Sequence, residues 1–163
     1  MHKPLSRINK LLLTIWIACL TVPSYAQTVI VQVVGVLDGD TVLVLDERKT
    51  AQFKVRLDQI DAPEKAQPYG QVAKLFLSDL IYKKRISLLR KGQDRYGRTI
   101  GEISLNGENI NLRMVREGYA WAYRQYVTNS AYIKAEQSAI GQKKGLWQDA
   151  HPTPPWLWRR NQN

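Results

Sequence analysis

Cysteine and histidine are nearly absent from this chain of 163 residues. The one cysteine is Cys19, and the two histidines are His2 and His151. A disulfide therefore has no second cysteine within the chain, and a zinc site would lack its usual ligands. A catalytic pair of histidines is excluded as well, because His2 belongs to the amino-terminal segment described below. Hydrolytic chemistry would have to use carboxylates, arginine, tyrosine, lysine or a metal bound through oxygen.

The first 26 residues are typical of a secretory signal peptide. Their positive start comprises His2, Lys3, Arg7 and Lys10. The apolar run Leu11–Val22 is too short to span a bilayer comfortably, and Ser24–Ala26 provides a small-x-small cleavage site. We expect cleavage before Gln27 and a secreted or periplasmic protein. An uncleaved membrane anchor and a lipoprotein attached at Cys19 are the alternatives.

Basic residues exceed acidic ones by 24 to 14, which gives a net charge of +10. Only three of the basic residues lie within residues 1–26, so the rest of the chain stays strongly positive. Such an excess favours nucleic acid or an anionic membrane as a partner, although a merely soluble basic surface would also account for it. We assign residues 27–150 to one domain and residues 151–163 to a tail that contains proline and tryptophan.

Apolar periodicity predicts several short strands followed by helices. The predicted strands are Val29–Leu37, Thr41–Leu45, Phe53–Leu57, Ile86–Leu89 and Thr99–Leu105. The predicted helices are Pro68–Tyr82, Ile110–Glu117 and Ser130–Lys144, and the first should bury Val72, Leu75, Phe76, Leu80 and Ile81. This order indicates an α+β fold with a small barrel. A five-stranded OB-fold β-barrel is one of several options that the pattern allows.

Two tight turns at predicted strand ends carry carboxylates. They are Asp38–Thr41 and Asp58–Glu64. A hard cation such as calcium takes about 6–8 oxygen ligands, which two converging acidic turns would supply. Asp40 and Asp61 are the candidate ligands, and the backbone carbonyl of Ala62 is a further one. Each aspartate could also be an ordinary turn residue, since aspartate favours turns for local reasons.

Three further charged residues suggest hydrolysis of a phosphate ester. Glu64 follows a proline that stiffens the turn, so its carboxylate could orient or deprotonate a water molecule. Arg56 lies on the outer face of its strand, and Arg98 follows a polar turn; each guanidinium fork matches phosphate oxygens. Surface ion pairs of Arg98 with Asp94 and of Arg56 with Asp58 are the alternative.

Several aromatic side chains could contact nucleotide bases. Tyr96, Tyr123 and Tyr126 are the candidates, because aromatic rings stack on bases with little sequence preference. The tryptophans Trp147, Trp156 and Trp158 are interpreted as packing residues around the last helix and the tail.

Four motifs occur together and in a fixed order. They are Asp38–Thr41, Arg56 with Asp61–Glu64, Asp94–Arg98 and Val115–Ala120. In this order and spacing they resemble the staphylococcal nuclease family, over nearly all of the chain that follows the signal segment. The resemblance implies an OB-fold barrel with three helices and a Ca²⁺-dependent endonuclease. Its substrates would be DNA and RNA, cut at the P–O5′ bond to leave 3′-phosphate ends.

The same resemblance implies roles for individual residues. Asp40, Asp61 and the Ala62 carbonyl would bind Ca²⁺. Catalysis would rest on Glu64, which acts on water, and on the phosphate contacts Arg56 and Arg98. Substrate would be bound by Arg95, Tyr96 and Tyr123.

Two other functions stay open on the sequence. One is an OB-fold module that binds nucleic acid without cutting it, and the other is a basic structural protein of the cell envelope. Neither requires two acidic turns and two arginines at once. For the nuclease we expect a monomer with no stable membrane insertion after signal cleavage.

Overall fold

The computed structural model describes residues 28–48 and 50–162. The predicted signal segment therefore lies outside the described residues. The strands are β1 Thr28–Val36, β2 Thr41–Asp46, β3 Gln52–Leu57, β4 Ile60–Asp61, β5 Arg85–Gln93, β6 Thr99–Leu105, β7 Glu108–Asn109 and β8 Trp121–Ala122. The helices are α1 Gly70–Ile81, α2 Ile110–Arg116, α3 Ser130–Gly141 and α4 Pro155–Arg160, and a 3₁₀ turn covers Gly145–Gln148.

Five of the strands form a closed barrel. Neighbours follow the order β3-β2-β1-β5-β6, and all of these pairs are antiparallel. The barrel closes because β3 also pairs with β6, in parallel, with Val55 opposite Thr99 and Leu57 opposite Gly101. The prediction of an α+β OB-fold barrel is confirmed. To the three predicted helices the structure adds a fourth, α4, within the tail.

Strand alternation fills the barrel with branched aliphatic side chains. The fully buried strand residues are Val31, Val33, Val42, Val44, Val55, Leu57, Ile86, Leu88 and Ile103. Their spacing of two places one face of each strand inside the barrel and leaves the other face outside. Arg56 lies between two of these core residues and therefore projects outward, as its alternation predicts.

Helix α1 buries only part of the predicted apolar stripe. Its buried side chains are Ala73, Leu77 and Ile81, whereas Val72 is 47% exposed and Leu75 is 61% exposed. Ile81 is buried as predicted, and Phe76 and Leu80 pack against the core, so the prediction is wrong for Val72 and Leu75. Ala73 is buried because it lies against the turn at Gly39. The other helices agree with their predicted positions to within a few residues.

Gly39 allows the turn between β1 and β2 to approach helix α1. A Cβ atom at this position would lie 2.7 Å from the Cβ of Ala62 and 2.9 Å from the Cβ of Ala73. Atoms that close would have to move apart, so the turn packs in this way only with glycine. Asp40, the next residue, is thereby held against the turn that carries Asp61.

Two buried amides fix the turn between β3 and β4. Asn111 of α2 donates to the carbonyls of Asp58 and Gly101, both at 3.0 Å, and accepts from the Ile103 amide at 3.1 Å. Gln59, in the turn itself, accepts hydrogen bonds from the Thr128 and Asn129 amides, both at 2.9 Å. Both of these buried amide side chains are thus hydrogen-bonded, and they tie the acidic turn to three parts of the fold.

The tail packs against the domain through aromatic rings. Trp156 of α4 stacks on Tyr123 with ring centroids 5.8 Å apart and an interplanar angle of 6°. It also meets Trp121 edge to face, as Trp147 does. Trp147 and Trp156 are therefore packing residues, as predicted. No helix of the described residues is long and apolar enough to cross a membrane.

Candidate active site

Arg56 joins the two acidic turns. Its Nη2 lies 3.0 Å from Oδ2 of Asp40 and 2.9 Å from Oδ1 of Asp61. Its Nη1 donates to the carbonyls of Leu57 at 2.8 Å and Ile60 at 2.9 Å. With one nitrogen atom between them, the two carboxylates converge at one point on the outside of the barrel. The predicted surface pair of Arg56 with Asp58 is not the arrangement found.

Asp40 is buried and held by neighbouring donors. Its Oδ1 accepts from the Thr41 hydroxyl at 3.0 Å, and its Oδ2 accepts from the Ala62 amide at 2.8 Å. Ala62 is thus placed directly beside the carboxylate. Burial, followed by the charge of Asp40, raises the pKa of the adjacent Asp38 carboxyl to about 7. Negative charge is therefore crowded in this turn.

Asp61 lies at the end of β4, where β4 pairs with β8, and is only 1% exposed. Burial raises the pKa of its carboxyl, and hydrogen bonds from Arg159 act in the opposite direction. Arg159 approaches Asp61 as a fork, with Nη1–Oδ1 3.2 Å and Nη2–Oδ2 2.8 Å. Two guanidinium groups thus share one buried carboxylate.

Glu64 lies in the short turn before α1. Its backbone amide donates to Oε1 of Gln67 at 3.1 Å, and its carbonyl accepts from the Gln67 amide at 2.9 Å. The side chain, 38% exposed, pairs with Nη1 of Arg159 at 2.6 Å. Since that same nitrogen contacts Asp61, Glu64 lies at the edge of the acidic cluster.

Arg98 directly precedes β6 and approaches the cluster near Thr41. Its Nε donates to Oδ2 of Asp94 at 2.7 Å, and its Nη1 lies 3.5 Å from the Thr41 hydroxyl. The ion pair with Asp94 is therefore present. It fixes the guanidinium by Nε and leaves Nη1 beside Thr41, the residue that follows Asp40. Although burial acts to raise the pKa of Asp94, hydrogen bonds from Arg98 and Tyr96 hold it below its usual value.

The predicted substrate residues fall into two groups. Tyr96 is 70% exposed beside Arg98, and its hydroxyl accepts from Arg95 at 2.7 Å. Tyr123 instead contacts Trp156 through its ring face and Tyr126 edge to face, with centroids 4.9 Å apart. Arg95 and Tyr96 are thus open to solvent, whereas the ring of Tyr123 is partly covered by α4.

Sequence reasoning missed Arg159, which contacts both Asp61 and Glu64. Hydrogen bonds to these carboxylates, against the effect of burial, carry the pKa of its guanidinium above the usual value. The signal for this residue lies in Pro155, because proline favours the first position of a helix. A helix that begins there presents Arg159 one turn later.

The donor chemistry of the cluster fits a hard cation such as Ca²⁺. Within residues 28–48 and 50–162, no three histidine, cysteine, aspartate or glutamate side chains form a ready-made metal cluster. Two aspartate oxygens nevertheless lie within 3.0 Å of one positively charged nitrogen, which shows that they converge on a cation. Carboxylate and carbonyl oxygens are the ligands that calcium prefers, and water or substrate can complete its coordination shell.

Comparisons with known proteins identify the family of this chain. A family model described as staphylococcal nuclease homologue matches residues 54–149. An uncharacterized endonuclease of Haemophilus influenzae is 47% identical over 131 residues, which cover 80% of this chain and 73% of that protein. An uncharacterized endonuclease of Escherichia coli is 45% identical over 129 residues, with coverage of 78% and 83%.

A third relative is a micrococcal nuclease of Shigella flexneri. It is 43% identical over 140 residues, which cover 79% of each chain. The matched region of the family model extends from β3 to the 3₁₀ turn and includes Arg56, Asp61, Glu64 and Arg98. This chain therefore belongs to the staphylococcal nuclease family, as the order of its four motifs predicts.

Proposed function

We propose that this protein is an exported Ca²⁺-dependent endonuclease that hydrolyses DNA and RNA at the P–O5′ bond and leaves 3′-phosphate ends. The observation that carries the proposal is the convergence of Asp40 and Asp61 on one nitrogen of Arg56. The endonuclease and nuclease names of its relatives support the same reaction class.

Three groups of the chain would hold the ion. They are the carboxylates of Asp40 and Asp61 and the backbone carbonyl of Ala62. Calcium, when bound, supplies positive charge that stabilises the developing charge on the phosphate oxygens. The basic surface of the chain brings the polyanionic substrate to these carboxylates, which would otherwise repel it.

Glu64 and Arg98 have separate tasks in the proposed reaction. The Glu64 carboxylate accepts a proton from the attacking water, and the resulting hydroxide forms a bond to phosphorus. The P–O5′ bond on the opposite side breaks, and O5′ takes a proton from solvent to leave as a hydroxyl group. Arg98 directs its terminal nitrogens at the phosphate oxygens, since Asp94 already binds its Nε. Charge on those oxygens grows in the transition state, where a preorganised donor is most effective.

The main role of Arg56 in this structure is to bind the carboxylates of Asp40 and Asp61. All four of its contacts are to oxygen atoms of the chain itself, two of them charged. It therefore keeps the two aspartates together before a cation binds. Were a cation to bind both aspartates, Nη2 of Arg56 would become available for a phosphate oxygen.

Digestion of DNA and RNA by the purified chain tests the proposal. We expect digestion with Ca²⁺, none with EDTA, and 3′-phosphate ends in the products. Glu64→Gln keeps the size of the side chain but removes the base, so turnover should fall by about 10²–10⁴-fold. The control is Glu47→Gln, because Glu47 pairs with Arg85 on an exposed surface.

Two outcomes would contradict the proposal in different ways. Digestion that is unchanged in EDTA would remove the metal from the mechanism. Tight binding of DNA without cleavage under any metal would favour the non-catalytic OB-fold module.

Export and oligomeric state have tests of their own. We propose cleavage of the signal peptide before Gln27, so protein recovered from the periplasm or the medium should begin at this residue. We also propose that the protein is monomeric, which light scattering of the purified protein would measure. A mass that includes residues 1–26 would contradict the export proposal.

A further inference from the structure

Helix α4 covers the candidate active site from the carboxyl-terminal side. Arg159 contacts Asp61 through both of its terminal nitrogens and Glu64 through one of them. One turn earlier along the chain, Trp156 stacks on Tyr123. The six-residue helix α4 therefore contacts Asp61, Glu64 and Tyr123, which have predicted roles in metal binding, catalysis and substrate binding respectively.

The segment that leads to α4 is attached at a second place. Thr153 accepts a hydrogen bond from Nε2 of Gln67 at 2.5 Å, and Gln67 also binds the backbone of Glu64. Pro155, the first residue of α4, is buried. Docking of the tail thus has its own contacts beside the ion pairs, and these contacts hold Arg159 close to the carboxylates.

The contacts of Arg159 use carboxylate oxygens that the proposed ion and the proposed base would need. Both oxygens of Asp61 and Oε1 of Glu64 lie within 3.2 Å of its guanidinium. While Oε1 of Glu64 is paired with the Arg159 guanidinium, this oxygen is not free to take a proton from water. A guanidinium and a metal ion cannot occupy one position beside the same carboxylate, so their binding is mutually exclusive there.

We infer that α4 is an autoinhibitory latch, in which Arg159 is a built-in counter-cation that Ca²⁺ must displace before the site can act. The inference rests on the proposed function. The docked state pairs the buried Asp61 with a second guanidinium and occupies Oε1 of Glu64. Displacement of Arg159 frees Asp61 and Glu64, and departure of the helix also uncovers the ring of Tyr123.

The energetics are suited to a reversible latch. The side chain of Arg159 is 42% exposed, so water weakens its ion pairs and lowers the cost of release. Short helices with few buried contacts open at low free energy. Any free energy that holds Arg159 in place reduces the apparent affinity for the ion, because only the released fraction binds it.

Calcium affinity and helix docking test the latch without reference to turnover. By titration calorimetry, Arg159→Met should bind Ca²⁺ about tenfold more tightly than the unchanged chain, which corresponds to about 1.4 kcal/mol. Arg160→Met is the matched control: it removes a charge from the neighbouring residue, and Arg160 forms no ion pair among the described residues. A general effect of lost charge would move both variants equally, whereas the latch predicts a change in Arg159→Met alone.

Hydrogen exchange gives the second measurement on the unchanged chain. The amides of Trp158 and Asn161 bond within the helix to Pro154 and Leu157. Saturating Ca²⁺ should raise exchange in residues 155–161, and in Arg159→Met exchange there should already be raised without the ion. Arg159→Lys keeps the charge but not the fork, so its affinity for Ca²⁺ should lie between those of the other two chains.

The outcomes separate the latch from the proposed function. Equal Ca²⁺ affinity of Arg159→Met and the unchanged chain, or exchange in α4 that Ca²⁺ leaves unaltered, would overturn the latch while EDTA-sensitive digestion still stood. Absence of Ca²⁺ binding in both chains would overturn the latch as well. Digestion that persists in EDTA would then reject the metal in the proposed function separately.

Discussion

At the scale of single residues, the site depends on guanidinium groups that each contact several acceptors. Arg56 reaches two carbonyls and two carboxylates, and Arg98 reaches Asp94 and Thr41. Arg159 reaches two carboxylates. A planar fork can serve several oxygens at once, whereas an ammonium group is a single point of charge. These positions should therefore not accept lysine.

Arg98→Lys tests this point. Lysine keeps the charge but cannot bond Asp94 through one nitrogen while it directs two others at a phosphate. We expect nuclease turnover to fall by about tenfold to a hundredfold. The control is Arg85→Lys, in an exposed pair with Glu47, which should leave turnover unchanged. Full activity of Arg98→Lys would make Arg98 a surface residue without a part in catalysis.

Asp58 provides a test of pH dependence. Burial raises the pKa of its carboxyl above the usual value of 3.8, although Lys91, at 3.9 Å, acts in the opposite direction. The native state then holds this proton more tightly than the unfolded state, so ionisation removes stability as the pH rises above 3.8. Asp58→Asn cannot ionise. Its free energy of unfolding relative to the unchanged chain should therefore increase between pH 4 and pH 8.

Urea unfolding at the two pH values measures this difference. Asp79→Asn, on the exposed side of α1, is the control and should show no such increase. A difference for Asp58→Asn that stays constant with pH would contradict the assignment.

The sequence predicts part of the site for a definite reason. Asp40, Asp61 and Arg56 are near strand ends or on the outer face of a strand, and strand alternation decides these positions. Their approach to one another therefore follows from the barrel. Arg159 is more than ninety positions away from Asp61 along the chain. Local periodicity cannot predict the contact between Arg159 and Asp61, because this contact depends on where the tail packs against the domain.

At the scale of secondary structure, small residues and prolines explain where prediction fails. Helix α1 turns Ala73 towards the barrel because the turn at Gly39 comes within contact distance. An apolar stripe alone favours the larger side chains, so it includes the exposed Val72 and Leu75 and omits Ala73. In the tail, three prolines suggest an extended segment, yet Pro155 is the first residue of α4. Proline there indicates the start of a helix rather than its absence.

Asn111 tests how firmly α2 is connected to the barrel. Its side chain makes three hydrogen bonds in a buried position. Asn111→Ala leaves two carbonyls and one amide without this partner, so the free energy of unfolding should fall by about 2–4 kcal/mol. The comparison is Asn129→Ala, which removes only the exposed cap of α3 and should cost about 1 kcal/mol.

Urea unfolding followed by tryptophan fluorescence would measure both variants. Equal losses for the two would mean that the buried amide does no more than an exposed helix cap. Asn111→Ala should also lower nuclease activity, because Asn111 holds the turn at Asp58, which leads directly to Asp61.

At the scale of the whole molecule, positive charge is in excess at +10, and the acidic site is a local exception. Contacts of lysine and arginine with phosphates release counterions from nucleic acid. Affinity for uncleaved DNA in EDTA should therefore fall steeply, by orders of magnitude, between about 50 and 200 mM salt. Fluorescence anisotropy would measure the slope. Affinity that does not change with salt would contradict a surface of this kind.

The parallel pairing of β3 with β6 has a consequence for the newly made chain. Val55 opposite Thr99 sets Arg56 and Arg98 near each other, although more than forty positions separate them in the sequence. Without this pairing β3 and β6 are the two open edges of the barrel sheet, and the two arginines lie at opposite edges. Under the proposed function, a nascent or unfolded polypeptide is harmless to the nucleic acid of the cell that makes it. Nuclease activity would then require a closed barrel.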